Sequence, residues 1–209
     1  NYALDEYRAS ASNIAKAAAN MSEKKIGALI VVEGATLLGE VLSTGTVVDS
    51  AVSTSVIENI FFPKAPLHDG AMVIRDNRIH SAGCILPLTQ SELSLELGTR
   101  HRAAIGISEE SDCISLIVSE ETGRISLAID GELIAVNREN FLQAFKEELE
   151  KQKTRARNAR SDLQSMNMQN EEYMKFNLES EFIGYDNLNS NSNLITEVNN
   201  VSTNDSTLV

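Results

Sequence analysis

Two short polar segments of the chain have residue types and spacings that could do chemistry. The first contains His68, Asp69 and Gly70 and follows two prolines, which stiffen the approach, while the glycine lets another molecule come close to the backbone. A carboxylate at this place could hold Mg²⁺ or Mn²⁺ or accept a proton from an attacking hydroxyl, and the imidazole offers a further ligand. Asp-Gly is also a common turn dipeptide, so the alternative is an ordinary turn leading into the next strand.

The second segment, residues 98–102, places a glycine and a threonine directly before Arg100, His101 and Arg102. The apolar residues that follow predict the first turns of a helix, and Thr99 is a candidate cap for it. Free backbone N–H groups and a guanidinium fork at such a helix end suit phosphate oxygens. The basic side chains could instead form a solvated helix face, but the chain has a formal net charge of -12, so a compact basic cluster indicates a local anion site. Together, the carboxylate and the anion site indicate nucleotide and metal chemistry.

The elements around these segments predict an α/β fold. Apolar spacing and turn residues predict helices at 2–24, at 50–61 and from 103, and strands at 26–33, 71–75, 78–85, 114–119 and 124–129. Asp49 is the expected cap of the second helix, Asp76 and Asn77 form a hairpin turn, and Gly123 lies in the turn between the last two strands. Short hairpins among helices predict a single domain with a central mixed β-sheet flanked by helices, not a doubly wound fold.

The motifs Asp-Gly-Ala at 69–71 and Gly-Thr-Arg-His-Arg-Ala-Ala at 98–104 resemble the signature of the diadenylate cyclases, bacterial enzymes that make the second messenger cyclic di-AMP. Residues 25–30, 84–88 and 117–123 also match in the family's order, so the resemblance covers roughly residues 12–150. The chain is most similar to the membrane-anchored housekeeping type, whose catalytic domain follows transmembrane helices.

The resemblance implies roles for individual residues. Asp69 would be the catalytic carboxylate that assists the ribose 3′-hydroxyl and works with the metal. The implied nucleotide-binding residues are Gly70, Ala71, Leu86, Gly98, Thr99, Arg100, His101, Arg102, Ser119 and Glu120. The implied metal ligands are Asp69 and Glu120, with His68 and Glu121 as further candidates, and the implied metal is Mn²⁺ or Mg²⁺, with Co²⁺ as a third choice. Residues 119–123 alone also predict an ordinary polar turn between two strands.

The implied reaction condenses two ATP molecules into cyclic di-AMP and releases two pyrophosphates by metal-assisted attack of each ribose 3′-OH on the other nucleotide's α-phosphate. One site that holds one ATP cannot close this ring, so the simplest catalyst is a head-to-head homodimer. The alternative is a catalytically silent sensor or scaffold of the same fold that binds ATP or cyclic di-AMP. Intact Asp69, Arg100 and His101 favour the enzyme. The resemblance alone implies a membrane regulator and phosphoglucosamine mutase as partners.

Composition predicts three parts of the chain: a linker or packing helix at 1–24, the catalytic domain at 25–150 and a polar tail at 151–209 that is disordered or weakly helical. The basic run 151–160 either contacts anionic lipid or continues the last helix. The acidic balance argues against nucleic acid as a partner. No stretch reaches the roughly 20 apolar residues of a membrane span, and the chain begins with Asn1. We therefore expect a soluble fragment of a longer protein, and the resemblance to the membrane-anchored type implies that its catalytic domain lies at the cytoplasmic face of the cell membrane.

Four further features have structural explanations. Cys84 and Cys113 lie in or beside apolar runs without metal-type spacing, which predicts free thiols in a reducing compartment. Residues 33–39 contain two glycines but lack the lysine of a phosphate loop, so they predict a turn. His80 alternates within a strand and is expected to be structural.

Overall fold

The computed structural model describes the backbone of residues 2–91 and 97–201 and the side chains of residues 5–91 and 97–175. It contains two compact units, Asn1–Ala156 and Arg157–Val209. The elements are, in chain order, α1 (Tyr2–Glu23), β1 (Ala28–Val32), α2 (Gly39–Thr44), β2 (Thr46–Ala51), α3 (Thr54–Ile60), β3 (Ala71–Arg75), β4 (Arg78–Cys84), α4 (Thr99–Glu110), β5 (Ile114–Val118), β6 (Ile125–Ile129), β7 (Glu132–Val136) and α5 (Phe141–Val201).

The first unit is built on a mixed sheet, as the sequence predicts. In the described part of the chain, the strand order is β2-β4-β3-β1-β5-β6-β7, and β1 pairs with β3 in parallel while the other neighbours are antiparallel. Alternate residues of the central strands face opposite sides, where they form two buried apolar clusters. The cluster on one side includes residues of α1, α3 and α5, and that on the other includes residues of α2 and α4. Helices therefore cover both faces, which confirms the predicted fold class.

Helical spacing of small and apolar residues explains how α1 and α5 pack on the sheet. In α1 the side chains of Ile14, Ala18 and Met21 are buried, and the alanine lets the helix come close to its neighbours. Phe141 and Phe145, four residues apart at the start of α5, are fully buried and stack with ring centroids 5.5 Å apart. Burial of these faces holds α1 and α5 against the sheet.

The prediction of one helix at 50–61 is wrong in its first part. Residues up to Ala51 belong to β2, which pairs with β4, and α3 begins at Thr54. The N-cap is Ser53, whose hydroxyl accepts a hydrogen bond from the Val56 N–H at 3.3 Å. Asp49 instead has a φ of 45° and forms an ion pair with Arg78. The β-branched residues before Asp49 extend the sheet and carry the start of the helix further along the chain.

Other local predictions are confirmed. Asp76 and Asn77 have φ values of 49° and 59°, as a two-residue turn between antiparallel strands requires. Cys84 and Cys113 are buried free thiols, and burial raises the pKa of Cys84 to about 11. Residues 33–38 form a loop in which the Asp112 carboxylate accepts the backbone N–H groups of residues 35 and 36, each at 2.8 Å, whereas Gly39 is the first residue of α2. A protein carboxylate thus occupies the donors that a phosphate loop would offer to a ligand.

Most of the second unit is a continuation of α5, which the structure describes as far as Val201. The described side chains at 157–175 are exposed. The division of the chain near residue 150 and the disorder of the tail stay predictions from composition. Within the described residues, no helix is both long enough and apolar enough to cross a membrane.

Glu33, directly after β1, supplies a buried charge that we expect to stabilise the first unit. Its carboxylate is only 3% exposed and accepts two hydrogen bonds from the Arg75 guanidinium, at 2.6 and 2.7 Å, and one from the Leu38 N–H. Glu33→Ala removes the acceptor for all three donors, so we expect the free energy of unfolding to fall by about 2 kcal/mol. Urea denaturation would measure this fall.

An exposed ion pair provides the control for Glu33. Arg155 and Asp130 lie 2.9 Å apart, and both side chains are more than half exposed. Arg155→Ala should therefore lower the free energy of unfolding by less than about 1 kcal/mol. Equal losses from the two variants would show that burial of Glu33 adds nothing.

Candidate active site

Strand polarity brings the predicted motifs to one end of the sheet. Ala71 at the start of β3 lies opposite Cys84 at the end of β4, and Ala28 at the start of β1 lies opposite Val118 at the end of β5. Because β1 and β3 are parallel, these four strand ends lie at the same end of the sheet. The Asp-Gly segment before β3 and the acidic turn after β5, residues 119–123, therefore both lie at this end.

A cavity of about 970 Å³ opens at this end of the sheet. The predicted site residues that line it are His68, Asp69, Gly70, Leu86, Gly98, Thr99, Arg100, His101, Ser119, Glu120 and Glu121. Ala71 and Arg102 do not line it: Ala71 is fully buried in the core, and Arg102 is half-buried on α4. The structure thus brings residues from both motifs and from the 119–121 turn around one space.

The Asp-Gly segment presents an exposed carboxylate on a constrained backbone. Gly70 has a φ of +101°, and a Cβ there would lie 2.7 Å from the Cys84 carbonyl oxygen. Asp69 is exposed and has no side-chain hydrogen bond or ion pair within the described residues. The Nδ1 of His68 is 2.7 Å from the Ala65 carbonyl oxygen, which can only accept, so Nδ1 donates and a neutral ring keeps a lone pair on Nε2. Both side chains can therefore take a proton or a cation.

The basic segment starts helix α4, but the predicted cap is wrong by one residue. Gly98 is the N-cap, with φ −64° and ψ 161°, and no side chain in the described part of the chain makes a capping hydrogen bond. Thr99 is the first helical residue, because the extended backbone that a cap needs lies one position earlier. Within the described residues, the hydroxyl of Thr99 and the first N–H groups of the helix are therefore free to meet an anion at the cavity.

The Arg100 side chain lines the cavity and reaches the acidic turn. Its NH1 donates to the Glu120 carboxylate at 3.0 Å, and the Arg100 and Glu120 side chains are 21% and 63% exposed. The Nε of Arg100 is buried and has no hydrogen-bond partner in the described part of the chain. Burial and the neighbouring Arg100 lower the pKa of His101, while Glu121 raises it in part. His101 is therefore neutral near pH 7 and offers both a donor and an acceptor.

The acidic turn is held from outside the site. Within it, the Gly123 N–H donates to the Ser119 carbonyl at 2.8 Å, and the Thr122 N–H donates to the Ser119 hydroxyl at 3.3 Å. The Ser22 hydroxyl, at the end of α1, donates to the Gly123 carbonyl and accepts from Arg138 at 3.0 Å. These contacts tie the turn that carries the two glutamates to α1 and to the segment before α5.

The cavity is also lined by side chains that were not predicted to belong to the site. Arg124, the first residue after the acidic turn, adds a cation, and Leu29, Ile85 and Leu133 add apolar surface. Arg124 follows two glutamates closely enough to have been a candidate. Leu133 lies on β7, a strand that was not predicted, so there was no reason from the sequence to place Leu133 at the site.

The described residues contain no group of three or more His, Cys, Asp and Glu side chains placed to hold a metal ion by themselves. Asp69 and Glu120, which line the same cavity, nevertheless offer carboxylate oxygens, and these suit Mg²⁺ and Mn²⁺. Mg²⁺ commonly binds through one or two carboxylates and completes its shell with water and substrate phosphates. The residues present fit a metal of that kind.

Comparisons with known proteins identify the family of this site. Residues 15–133 match the DAC family, described as DisA bacterial checkpoint controller nucleotide-binding. The diadenylate cyclase CdaS of Bacillus thuringiensis (strain BMB171) is 50% identical over 135 residues, which are 64% of this chain and 67% of that protein. The cyclic di-AMP synthase CdaA of Bacillus subtilis (strain 168) is 48% identical over 138 residues, which are 66% of this chain and 50% of that protein. The chain thus spans half to two thirds of the length of these relatives.

Solved structures of related proteins share this fold. A crystal structure of DacA from Staphylococcus aureus, a double mutant, superposes with a TM-score of 0.66 at 43% identity and covers 69% of this chain and 97% of that one. The structure of a hypothetical membrane spanning protein from Bacillus cereus superposes with a TM-score of 0.60 at 50% identity and covers 61% of this chain and 63% of that one. The sequence match, the shared fold and the convergence of both motifs on one cavity confirm the predicted family: the chain belongs to the DAC family, the family of the diadenylate cyclases.

Proposed function

We propose that this domain condenses two ATP molecules into cyclic di-AMP with release of two pyrophosphates. The observation that carries this proposal is that one cavity is lined both by the Asp69 carboxylate, which has no ion pair within the described residues, and by the basic start of α4. A carboxylate and an anion-binding helix end are the two parts that attack of a hydroxyl on a phosphate requires. Relatives named diadenylate cyclase and cyclic di-AMP synthase support the same reaction.

Different parts of the cavity bind the adenine and the phosphates of the nucleotide. The adenine lies against Gly70 and the backbone at Leu86, near the apolar side chains of the cavity. The phosphates lie at Gly98, Thr99, Arg100 and His101, where backbone N–H groups and a guanidinium converge. Ser119 and Glu120 complete the phosphate end, and Arg124 is an added candidate there. Arg100 donates to Glu120 through NH1, so the rest of its planar fork can bind the triphosphate, and the second carboxylate oxygen of Glu120 is left for a cation.

The chemistry itself needs few protein groups. Asp69 accepts the proton of the ribose 3′-hydroxyl as it attacks the α-phosphate of the other ATP, and pyrophosphate leaves in line. Asp69 and Glu120 would hold Mn²⁺ or Mg²⁺, with His68 and Glu121 as further candidates. When bound, the metal neutralises charge on the phosphates. Arg100 and the start of α4 stabilise the remaining charge that develops on the phosphate oxygens.

A second protomer completes the reaction. The product is two-fold symmetric and contains two AMP units, so two cavities that face each other in a head-to-head homodimer present one ATP each. In the longer protein we propose that the domain lies at the cytoplasmic face of the cell membrane. The resemblance to the membrane-anchored type and the similarity to the membrane spanning protein of Bacillus cereus support this placement. A membrane regulator and phosphoglucosamine mutase are the proposed partners.

A dilution assay tests both the reaction and the dimer. The purified chain is incubated with ATP and either Mn²⁺ or Mg²⁺ at concentrations on both sides of its monomer–dimer transition, which sedimentation defines. We expect liquid chromatography with mass detection to find cyclic di-AMP and pyrophosphate, and the turnover per protomer to fall with dilution. Bound ATP without product at any concentration would instead support the silent sensor. Constant turnover across the transition would contradict the dimeric mechanism.

A further inference from the structure

Gly27, the residue before β1, lies beside Arg100 at the cavity's edge. It is buried, and a Cβ added there would lie 2.8 Å from Arg100 NH1 and 2.9 Å from Arg100 Cζ. The same Cβ would lie 3.1 Å from the Cβ of Glu120. The bare backbone of Gly27 therefore forms the slot in which the Arg100 guanidinium lies as it reaches Glu120.

Space, not backbone conformation, is the reason for a glycine at this position. The φ of Gly27 lies outside the left-handed region, so an L-residue could adopt its backbone without strain. Gly70 is different, because its φ is +101° and a Cβ there would meet backbone atoms of Gly83 and Cys84. At Gly27 the nearest atoms belong to the far end of a flexible arginine side chain, which can move away at little cost to the fold.

The guanidinium of Arg100 has few other restraints. Its Nε has no hydrogen-bond partner in the described part of the chain, and its ion-pair partner Glu120 is mostly exposed. Packing over Gly27 therefore restrains the direction of the guanidinium together with its hydrogen bond to Glu120. An added methyl group at Gly27 would push the guanidinium out of this position without removing its charge.

We propose that Gly27 is a positioning residue: its missing side chain seats the Arg100 guanidinium and aims it at the phosphates of the nucleotide. This inference rests on the proposed function, in which Arg100 binds those phosphates. It makes the segment before β1 a determinant of triphosphate binding, although Gly27 itself offers no side chain to the substrate.

Gly27→Ala tests this role, and Gly39→Ala is the matched control, because a Cβ at Gly39 meets no atom within 4 Å. Binding of adenosine and of α,β-methylene-ATP is measured by titration calorimetry with Mg²⁺ present. For Gly27→Ala we expect about tenfold weaker binding of the triphosphate, as for one weakened charge-assisted contact, and adenosine affinity within about twofold of wild type. Gly39→Ala should change neither affinity. A parallel loss of adenosine binding, or unchanged triphosphate binding, would overturn the proposal.

A double-mutant cycle identifies the group through which Gly27 acts. In an Arg100→Ala background, Gly27→Ala should cause no further loss of triphosphate affinity, since the displaced group is absent. A further tenfold loss would overturn the proposal. If the wild-type chain binds the triphosphate but forms no product, the proposed catalysis is contradicted. The cycle would still decide whether Gly27 acts on triphosphate binding through Arg100. A wild-type chain that binds no triphosphate would overturn both.

Discussion

Asp69→Asn is expected to reduce cyclic di-AMP formation by about 10³-fold while the affinity for ATP stays largely unchanged. The asparagine amide has the same shape but cannot accept the proton of the 3′-hydroxyl, and it is a poor ligand for a divalent cation. Asp69 is exposed and unpaired within the described residues, so its replacement should leave the fold intact. Product formation at saturating ATP is measured by mass detection, and ATP binding by titration calorimetry.

Asp49→Asn is the matched control for this variant. Asp49 is an exposed carboxylate on β2 with a φ of 45°, a conformation that asparagine tolerates, and it does not line the cavity. We expect it to keep wild-type turnover. Unchanged turnover in Asp69→Asn would reject the assigned role of Asp69. Loss of ATP binding together with a lower melting temperature would indicate a structural role instead.

The sequence predicts the classes of the elements better than their ends. Asp49 and Ser53 are both suitable N-caps, and only the pairing of β2 with β4 selects Ser53. At α4, Gly98 and Thr99 are adjacent cap candidates, and the backbone dihedrals select the glycine. Such choices depend on tertiary contacts that propensity does not contain. The hairpin at Asp76 needs only local turn chemistry, and it was predicted correctly.

The site was predicted as a set of residues, but its internal geometry depends on contacts between distant segments. Arg100 and Arg102 look equivalent in the sequence, yet two residues turn a helix by about 200°, so they point to different sides and only Arg100 lines the cavity. The pairing of Arg100 with Glu120 joins residues 20 positions apart. Its origin is the packing of α4 against β5, which no spacing pattern reveals.

Removal of the Arg100 side chain tests whether the basic start of α4 binds the triphosphate. We expect Arg100→Ala to weaken ATP binding by roughly 10- to 100-fold, the loss typical of one or two hydrogen bonds to a charged group, and to lower turnover further if the contact strengthens as pyrophosphate leaves. Arg100→Lys should recover only part of this loss, because an ammonium keeps the charge but not the planar fork.

Arg78→Ala is the control for the loss of a positive charge. Arg78 forms an exposed ion pair with Asp49 and does not line the cavity, so its removal should change ATP affinity by less than about twofold. Affinity is measured by titration calorimetry at two salt concentrations, because a bulk charge effect weakens with salt whereas a contact inside the cavity is screened less. If Arg78→Ala and Arg100→Ala weaken ATP binding equally, the net charge of the domain and not the Arg100 contact governs affinity. A loss confined to Arg100→Ala would assign the phosphate end of the cavity to the start of α4, since that is where the arginine meets the acidic turn.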